Sequence, residues 1–131
     1  MGFSLFNKGK EDEKKAFIWK KLNEISTWEE LLKASESLPQ IVFKHSTRCI
    51  ISKTVLRNLE GDWKASTHDS ELYYLDLISH RDISNRIAAD TGIHHESPQL
   101  IILEKGRAVY DRSHNSIEAV DIQKFLTSLN G

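Results

Sequence analysis

The stretch Ile41-Val-Phe-Lys-His-Ser-Thr-Arg-Cys-Ile-Ile-Ser-Lys-Thr-Val-Leu56 constrains this chain more than any other. It opens on a short apolar run, Ile41-Val42-Phe43, whose β-branched and aromatic side chains suit a buried strand. After the polar residues His45-Ser46-Thr47-Arg48 comes Cys49, the one cysteine of the chain. Beyond it the apolar spacing changes. Ile51, Val55, Leu56 and Leu59 fall at i, i+4, i+5 and i+8, one face of a helix. A cysteine is therefore expected where a strand hands over to a helix. Free N–H groups and the positive end of the helix dipole stabilise a thiolate at such a position, and the thiolate is the reacting form of cysteine.

The rest of the chain is expected to be built around that junction. Residues 1–15 read as a flexible N-terminal tail, because positions 7–15 are nearly all charged and carry no apolar anchor. Residues 16–131 read as one domain, large enough for a core of its own. Trp19 and Leu22 begin a short edge strand. Ser26-Thr27-Trp28-Glu29 has the form of a capping box, opening a helix from about Trp28 to Ser37 with Leu31, Leu32 and Ala34 inward, which Leu38-Pro39 ends. The helix after Cys49 is expected to reach about Leu59 and stop at Gly61. Glu71 to Ile78 is a second buried strand, and Asp82 to Gly92 a helix with Ile83, Ile87 and Ala88 inward and Gly92 as its stop. Leu100 to Leu103 and Ala108 to Tyr110 form a hairpin about the turn Glu104-Lys-Gly-Arg107. Ser116 to Leu129 closes the chain as a helix with Ile117, Val120, Phe125, Leu126 and Leu129 on its apolar side. The order β-α-β-α-β-α-β-β-α implies an α/β fold, a mixed central sheet with helices on both faces.

Composition narrows the partners. Lys plus Arg total 18 against 19 Asp plus Glu, which argues against nucleic acid or an anionic membrane as a partner. No apolar run approaches the roughly 20 residues of a membrane span. The start, Met1-Gly-Phe-Ser-Leu-Phe, fits neither a secretory signal nor an N-myristoylation signal. One cysteine makes no internal disulfide and no cysteine-based zinc site, so the chain reads as cytoplasmic.

Cys49 is the centre of the candidate chemistry. Free cysteines are among the most buried residues, so a small hydrophobic filler is the alternative. Lys44, His45 and Arg48 precede it closely, however, and a cation beside the sulfur favours the thiolate. Cys49-Ile50-Ile51-Ser52 is a C-x-x-S pattern. In a C-x-x-C pair the second thiol resolves the mixed disulfide; Ser52 occupies that place without being able to form a disulfide. It can donate a hydrogen bond to the thiolate or help cap the helix. Ser97-Pro98-Gln99 lies immediately before a strand, where proline is tolerated on structural grounds alone. The sharper reading is a cis Ser97–Pro98 peptide beside Cys49, offering a substrate a strand-like edge.

Together, Lys44-His-Ser-Thr-Arg-Cys-Ile-Ile-Ser52, His95-Glu-Ser-Pro-Gln99 and the element order resemble the thioredoxin fold and, within it, the YtxJ-like monothiol bacilliredoxins, the bacillithiol system redox-active proteins. The likeness spans about residues 19 to 129. It implies a monothiol thiol–disulfide oxidoreductase that removes bacillithiol from S-bacillithiolated proteins. Cys49 would be the nucleophile supported by Ser52, and Thr47, Arg48, Ser97 and Pro98 would bind substrate. Pro98 would be the family's cis-proline, and Lys44 and His45 would give electrostatic support. No bound cofactor is implied; a low-molecular-weight thiol, bacillithiol, is the co-substrate. The partners implied are S-thiolated cytosolic proteins and the thiol or its reductase. At Ile50 the sequence departs from the proline this family usually carries after the cysteine.

His94, His95 and Glu96 suggest a metal site only superficially, because adjacent side chains of an extended segment point to opposite faces. His45 is a possible base or electrostatic partner for Cys49, or a turn histidine bonded to backbone. Trp19, Trp28 and Trp63 are expected at helix and strand edges. Two alternatives stand beside the redox reading. One is a binding module of the same fold that uses the Ser97–Pro98 edge without turnover. The other is a monothiol redoxin that uses another low-molecular-weight thiol.

Overall fold

The computed structural model describes residues 18–64 and 70–129; the tail expected over residues 1–15 lies outside them. Among the described residues are five strands, β1 (Trp19–Lys21), β2 (Gln40–His45), β3 (Glu71–Asp76), β4 (Gln99–Glu104) and β5 (Arg107–Ser113). Four α-helices alternate with them: α1 (Ile25–Ala34), α2 (Ile50–Asp62), α3 (Arg81–Thr91) and α4 (Ala119–Leu129), the last preceded by a 3₁₀ turn at His114–Ser116. The sheet order is β1-β3-β2-β4-β5. β1 and β2 both run parallel to β3, and β4 runs antiparallel to β2 and to β5.

Strand alternation divides the core into two layers. Ile41 and Phe43 of β2 and Leu100 and Ile102 of β4 point to one face, where Val55 and Leu59 of α2 and Ile122 and Leu126 of α4 cover them. Val42, Ile101 and Leu103 point to the other, beneath Trp28 and Leu31 of α1 and Ile83 and Ile87 of α3. Every residue of β2 is buried, as a strand covered on both faces must be. The expected mixed sheet with helices on both faces is therefore present. The hairpin turn is present too, with Lys105 and Gly106 both at positive φ (53° and 79°), as a two-residue turn matched to strand twist requires.

Several local expectations are corrected. The residue capping α1 is Glu24, so Ser26 falls within the first turn and no capping box forms; Ser26 Oγ instead donates to the Glu24 carboxylate. Trp28 is not at an edge but fully buried, its indole N–H donating to Asp90 Oδ2 at 2.8 Å. α2 runs through Gly61, and the helix ends where Trp63 turns to extended backbone and packs against the core. Its inward face is Ser52, Val55 and Leu59, leaving Ile51 half-exposed. α4 begins later than expected, after the 3₁₀ turn, so Ala119 and Ile122 face inward and Val120 outward.

The two helix glycines give a paired test of this description. Gly92 closes α3 in the left-handed region at φ 73°, with open space where a Cβ would stand. Gly92→Ala is expected to lower stability by about 1 kcal/mol, purely through backbone conformation. Gly61, within α2 and also in open space, has no positive φ, so Gly61→Ala should raise stability by about 0.5–1 kcal/mol. Denaturant midpoints of the two variants moving in opposite directions would bear this out; shifts of the same sign would not.

Candidate functional site

β2 and β4 bring the two motifs to one end of the sheet. Lys44 and Gln99 are register partners in the antiparallel pair, so the turn leaving β2 and the segment leading into β4 emerge side by side. The first turn, Ser46 to Cys49, is closed by the Cys49 amide donating to the Ser46 carbonyl at 3.2 Å. Thr47 and Arg48 are exposed on it. Cys49 is partly buried and stands at the N-cap of α2 with extended backbone (φ −102°, ψ 122°) and no side-chain cap bond. Its sulfur thus sits at the positive end of the helix. Ile50 takes the first helical position, where a proline would also fit because that N–H has no helical partner. The side chain of Ile50 is 77% exposed, beside the cysteine.

Ser52, one turn on, is fully buried. Its hydroxyl does not pair with the cysteine: Ser52 Oγ accepts the Ser46 amide at 3.1 Å and lies 2.7 Å from His45 Nδ1. His45 is itself buried, its ring stacked on Phe43 (centroids 6.1 Å apart) and 5.4 Å from the ring of Tyr74. Burial pushes its pKa below the usual histidine value; Asp76 and Glu60 oppose this and Lys53 adds to it. Burial thus favours the neutral ring.

Lys44 points to the opposite face, as strand alternation demands. It is fully buried, and its Nζ donates to Gln99 Oε1 at 3.0 Å. Gln99 Nε2 in turn donates to the carbonyl of His94 at 3.0 Å. Burial pulls the Lys44 ammonium down to a pKa of about 8. The hydrogen bonds of Lys44 and His45 thus run to Gln99 and Ser52 and not to the Cys49 sulfur they were expected to support.

The second turn carries Ser97–Pro98, whose peptide bond is cis. Pro98 is buried, its carbonyl accepting the His114 amide at 2.9 Å. Ser97 Oγ is buried with no hydrogen-bond partner among the described residues. His95 Nδ1 lies 3.1 Å from Ser84 Oγ on α3, while Glu96 pairs with His114 at 3.2 Å. The neighbouring polar side chains of this segment thus diverge. Burial first, and then Lys44, push the His95 pKa down. Gln99 is the residue to which the sequence reading gave no role. Its signal was legible in principle: a polar residue opposite a lysine in an otherwise apolar strand pair must supply that lysine's partner.

A sheet of this order, a lone cysteine capping the helix after its second strand and a cis-proline leading into the neighbouring antiparallel strand together define a thioredoxin-fold protein with a monothiol site. Residues 20–122 match the family described as monothiol bacilliredoxin BrxC, and the chain belongs to that family. Among solved structures it is similar to a protein described as a candidate oxidoreductase with a thioredoxin fold, at 30% identity and TM-score 0.68, covering 79% of this chain and 89% of that one. Thioredoxin from Trypanosoma brucei brucei (12% identity, TM-score 0.66, 86% and 91% coverage) shares the fold. So does mitochondrial thioredoxin 3 from Saccharomyces cerevisiae (14%, 0.65, 84% and 94%). The family, with the neighbour at 30% identity that is described as an oxidoreductase, supports a thiol redox function. Among the described residues no helix is long and apolar enough to cross a membrane.

Proposed function

We propose that this chain is a monothiol thiol–disulfide oxidoreductase that removes a low-molecular-weight thiol, bacillithiol, from S-thiolated cytosolic proteins. The observation that carries the reading is the placement of the one cysteine, partly exposed at the N-terminus of α2, with Ser52 rather than a second thiol one turn on. The Cys49 thiolate attacks the bacillithiol sulfur of a protein mixed disulfide. The S–S bond to the protein breaks, the protein leaves as a thiolate that takes up a proton, and Cys49 holds the bacillithiol as a new mixed disulfide. With no internal thiol to resolve it, a second thiol molecule must attack that disulfide, supplying the electron pair and leaving with bacillithiol. Thr47 and Arg48 would meet the polar part of the small thiol, a role supported by their exposure on the turn before the cysteine. The Ser97–Pro98 segment, at the start of β4, offers a protein substrate backbone groups to lie along.

Intact-mass spectrometry tests this. Reduced protein mixed with an S-bacillithiolated protein should gain one bacillithiol on Cys49 while the substrate loses it. Glutathione and coenzyme A mixed disulfides should transfer more slowly. Equal transfer from all three would assign the enzyme to another or a less selective thiol, and no transfer from any would overturn the redox reading.

A further inference from the structure

We propose that Lys44 and His45 are paired positioning residues, a two-sided clamp in which each side chain fixes one wall of the thiol site. The inference rests on the redox reading above for its kinetic consequences but not for its geometry.

The two residues are consecutive at the end of β2, so they leave the sheet in opposite directions. Each is buried, and each ends on a polar side chain, Ser52 of α2 or Gln99 of β4, that is itself bonded to the backbone of the adjoining turn or segment. On one face His45 Nδ1 reaches Ser52 Oγ, and Ser52 Oγ accepts the Ser46 amide. The Ser46 carbonyl in turn accepts the Cys49 amide. The turn that presents the sulfur is thereby braced at its first residue, at its last and at the first turn of α2. Ser52 Oγ accepts the Ser46 N–H and keeps a second lone pair and its own proton, so it pairs with His45 Nδ1 in either neutral tautomer. On the other face Lys44 Nζ holds Gln99 Oε1, and Gln99 Nε2 holds the His94 carbonyl, closing the segment that carries Ser97–Pro98. Neither bond has water to replace it, since Lys44, Ser52 and Gln99 are all at most 1% exposed. A lost partner here leaves an unsatisfied buried group, so the geometry of each wall depends on its clamp.

The two halves act on different steps and should therefore separate. His45→Phe keeps the ring between Phe43 and Tyr74 but removes Nδ1. It is expected to lower kcat about tenfold with KM little changed, and His45→Asn, which restores a polar atom near the Nδ1 position, should recover most of the loss. Lys44→Met should raise KM for an S-thiolated protein about fivefold or more with kcat nearly unchanged, and leave a small-molecule mixed disulfide unaffected. Hydrogen exchange supplies a readout independent of turnover. His45→Phe should deprotect the segment 46–52 and spare 94–99, and Lys44→Met should do the reverse. Exchange rising in both segments in both variants, or in neither, overturns the clamp. So does an active wild-type enzyme whose two variants change kcat and KM in the same pattern. A wild type with no turnover would instead defeat the redox reading, and exchange alone would then decide the clamp.

Discussion

Cys49→Ser is expected to abolish thiol–disulfide turnover, lowering it by roughly a thousandfold or more, without cost to the fold. A serine hydroxyl at this position is not ionised near neutral pH, and the chain has no other cysteine to substitute for the lost nucleophile. The structural consequence runs the other way. Cys49 occupies the N-cap of α2 yet contributes no side-chain cap bond, whereas serine is among the preferred capping residues. The variant should therefore be as stable as wild type or more so, by up to about 1 kcal/mol. Loss of turnover beside unchanged or raised stability, measured by a mixed-disulfide assay and a denaturation curve on the same preparation, is the signature of a chemical role. A variant that kept its partners and its cellular effect would mark the fold as a binding module instead.

That N-cap position was legible in the sequence because two periodicities meet there: the apolar run of β2 stops and helical spacing begins. The order of elements along the chain, the hairpin and the two-sided core followed from the same kind of pattern. What pattern could not supply was the rotation of individual helices. Ile51 fits the apolar spacing with Val55 and Leu59, yet the inward seat belongs to Ser52 and Ile51 is left outside. A hydroxyl in an apolar face is favoured only when buried partners await it, and those partners, His45 Nδ1 and the Ser46 amide, sit on a different element. In α4 the same ambiguity put Val120 inward in place of Ile122, because spacing does not show that a 3₁₀ turn delays the helix to Ala119. The capping box failed because helix α1 starts before Ser26, at a residue whose side chain does no capping.

The site residues divide along the same line. Cys49, Ser97 and Pro98 were recognisable because their chemistry or backbone preference is local. Lys44 and His45 were recognised as notable but given a role by proximity in sequence, as charges near a sulfur. Adjacent residues in a strand cannot share a face, so at least one of them had to serve something else. Ile50 finds a physical place as well: it stands at the first helical position, where either proline or isoleucine is accommodated, and its exposed side chain adds apolar surface beside the nucleophile.

Lys44 carries the second large effect, a stability that climbs with alkaline pH. Its folded pKa of about 8 lies below the ordinary lysine value of 10.5. Below pH 8 both folded and unfolded chains hold the proton, and the full cost of a buried ammonium is present. Between about 8 and 10.5 the unfolded chain keeps a proton that the folded one has released, so stability rises with pH. At about 1.4 kcal/mol per pH unit, the gain across that window is about 3 kcal/mol. Tyr73, Tyr74 and Tyr110, whose pKa values burial raises, act in the opposite sense above pH 10, because there the folded chain holds protons the unfolded one loses. Subtracting the curve for Lys44→Met, which retains those tyrosines, isolates the lysine. Urea unfolding at pH 7.5, 8.5, 9.5 and 10.5 should show the wild type gaining on Lys44→Met at each step, and parallel curves would mean that Lys44 is not held as a buried, depressed cation. A lysine kept at that energetic cost, beside leucine, isoleucine and valine that would fill the same layer without it, points to selection for the bond it makes to Gln99 rather than for stability.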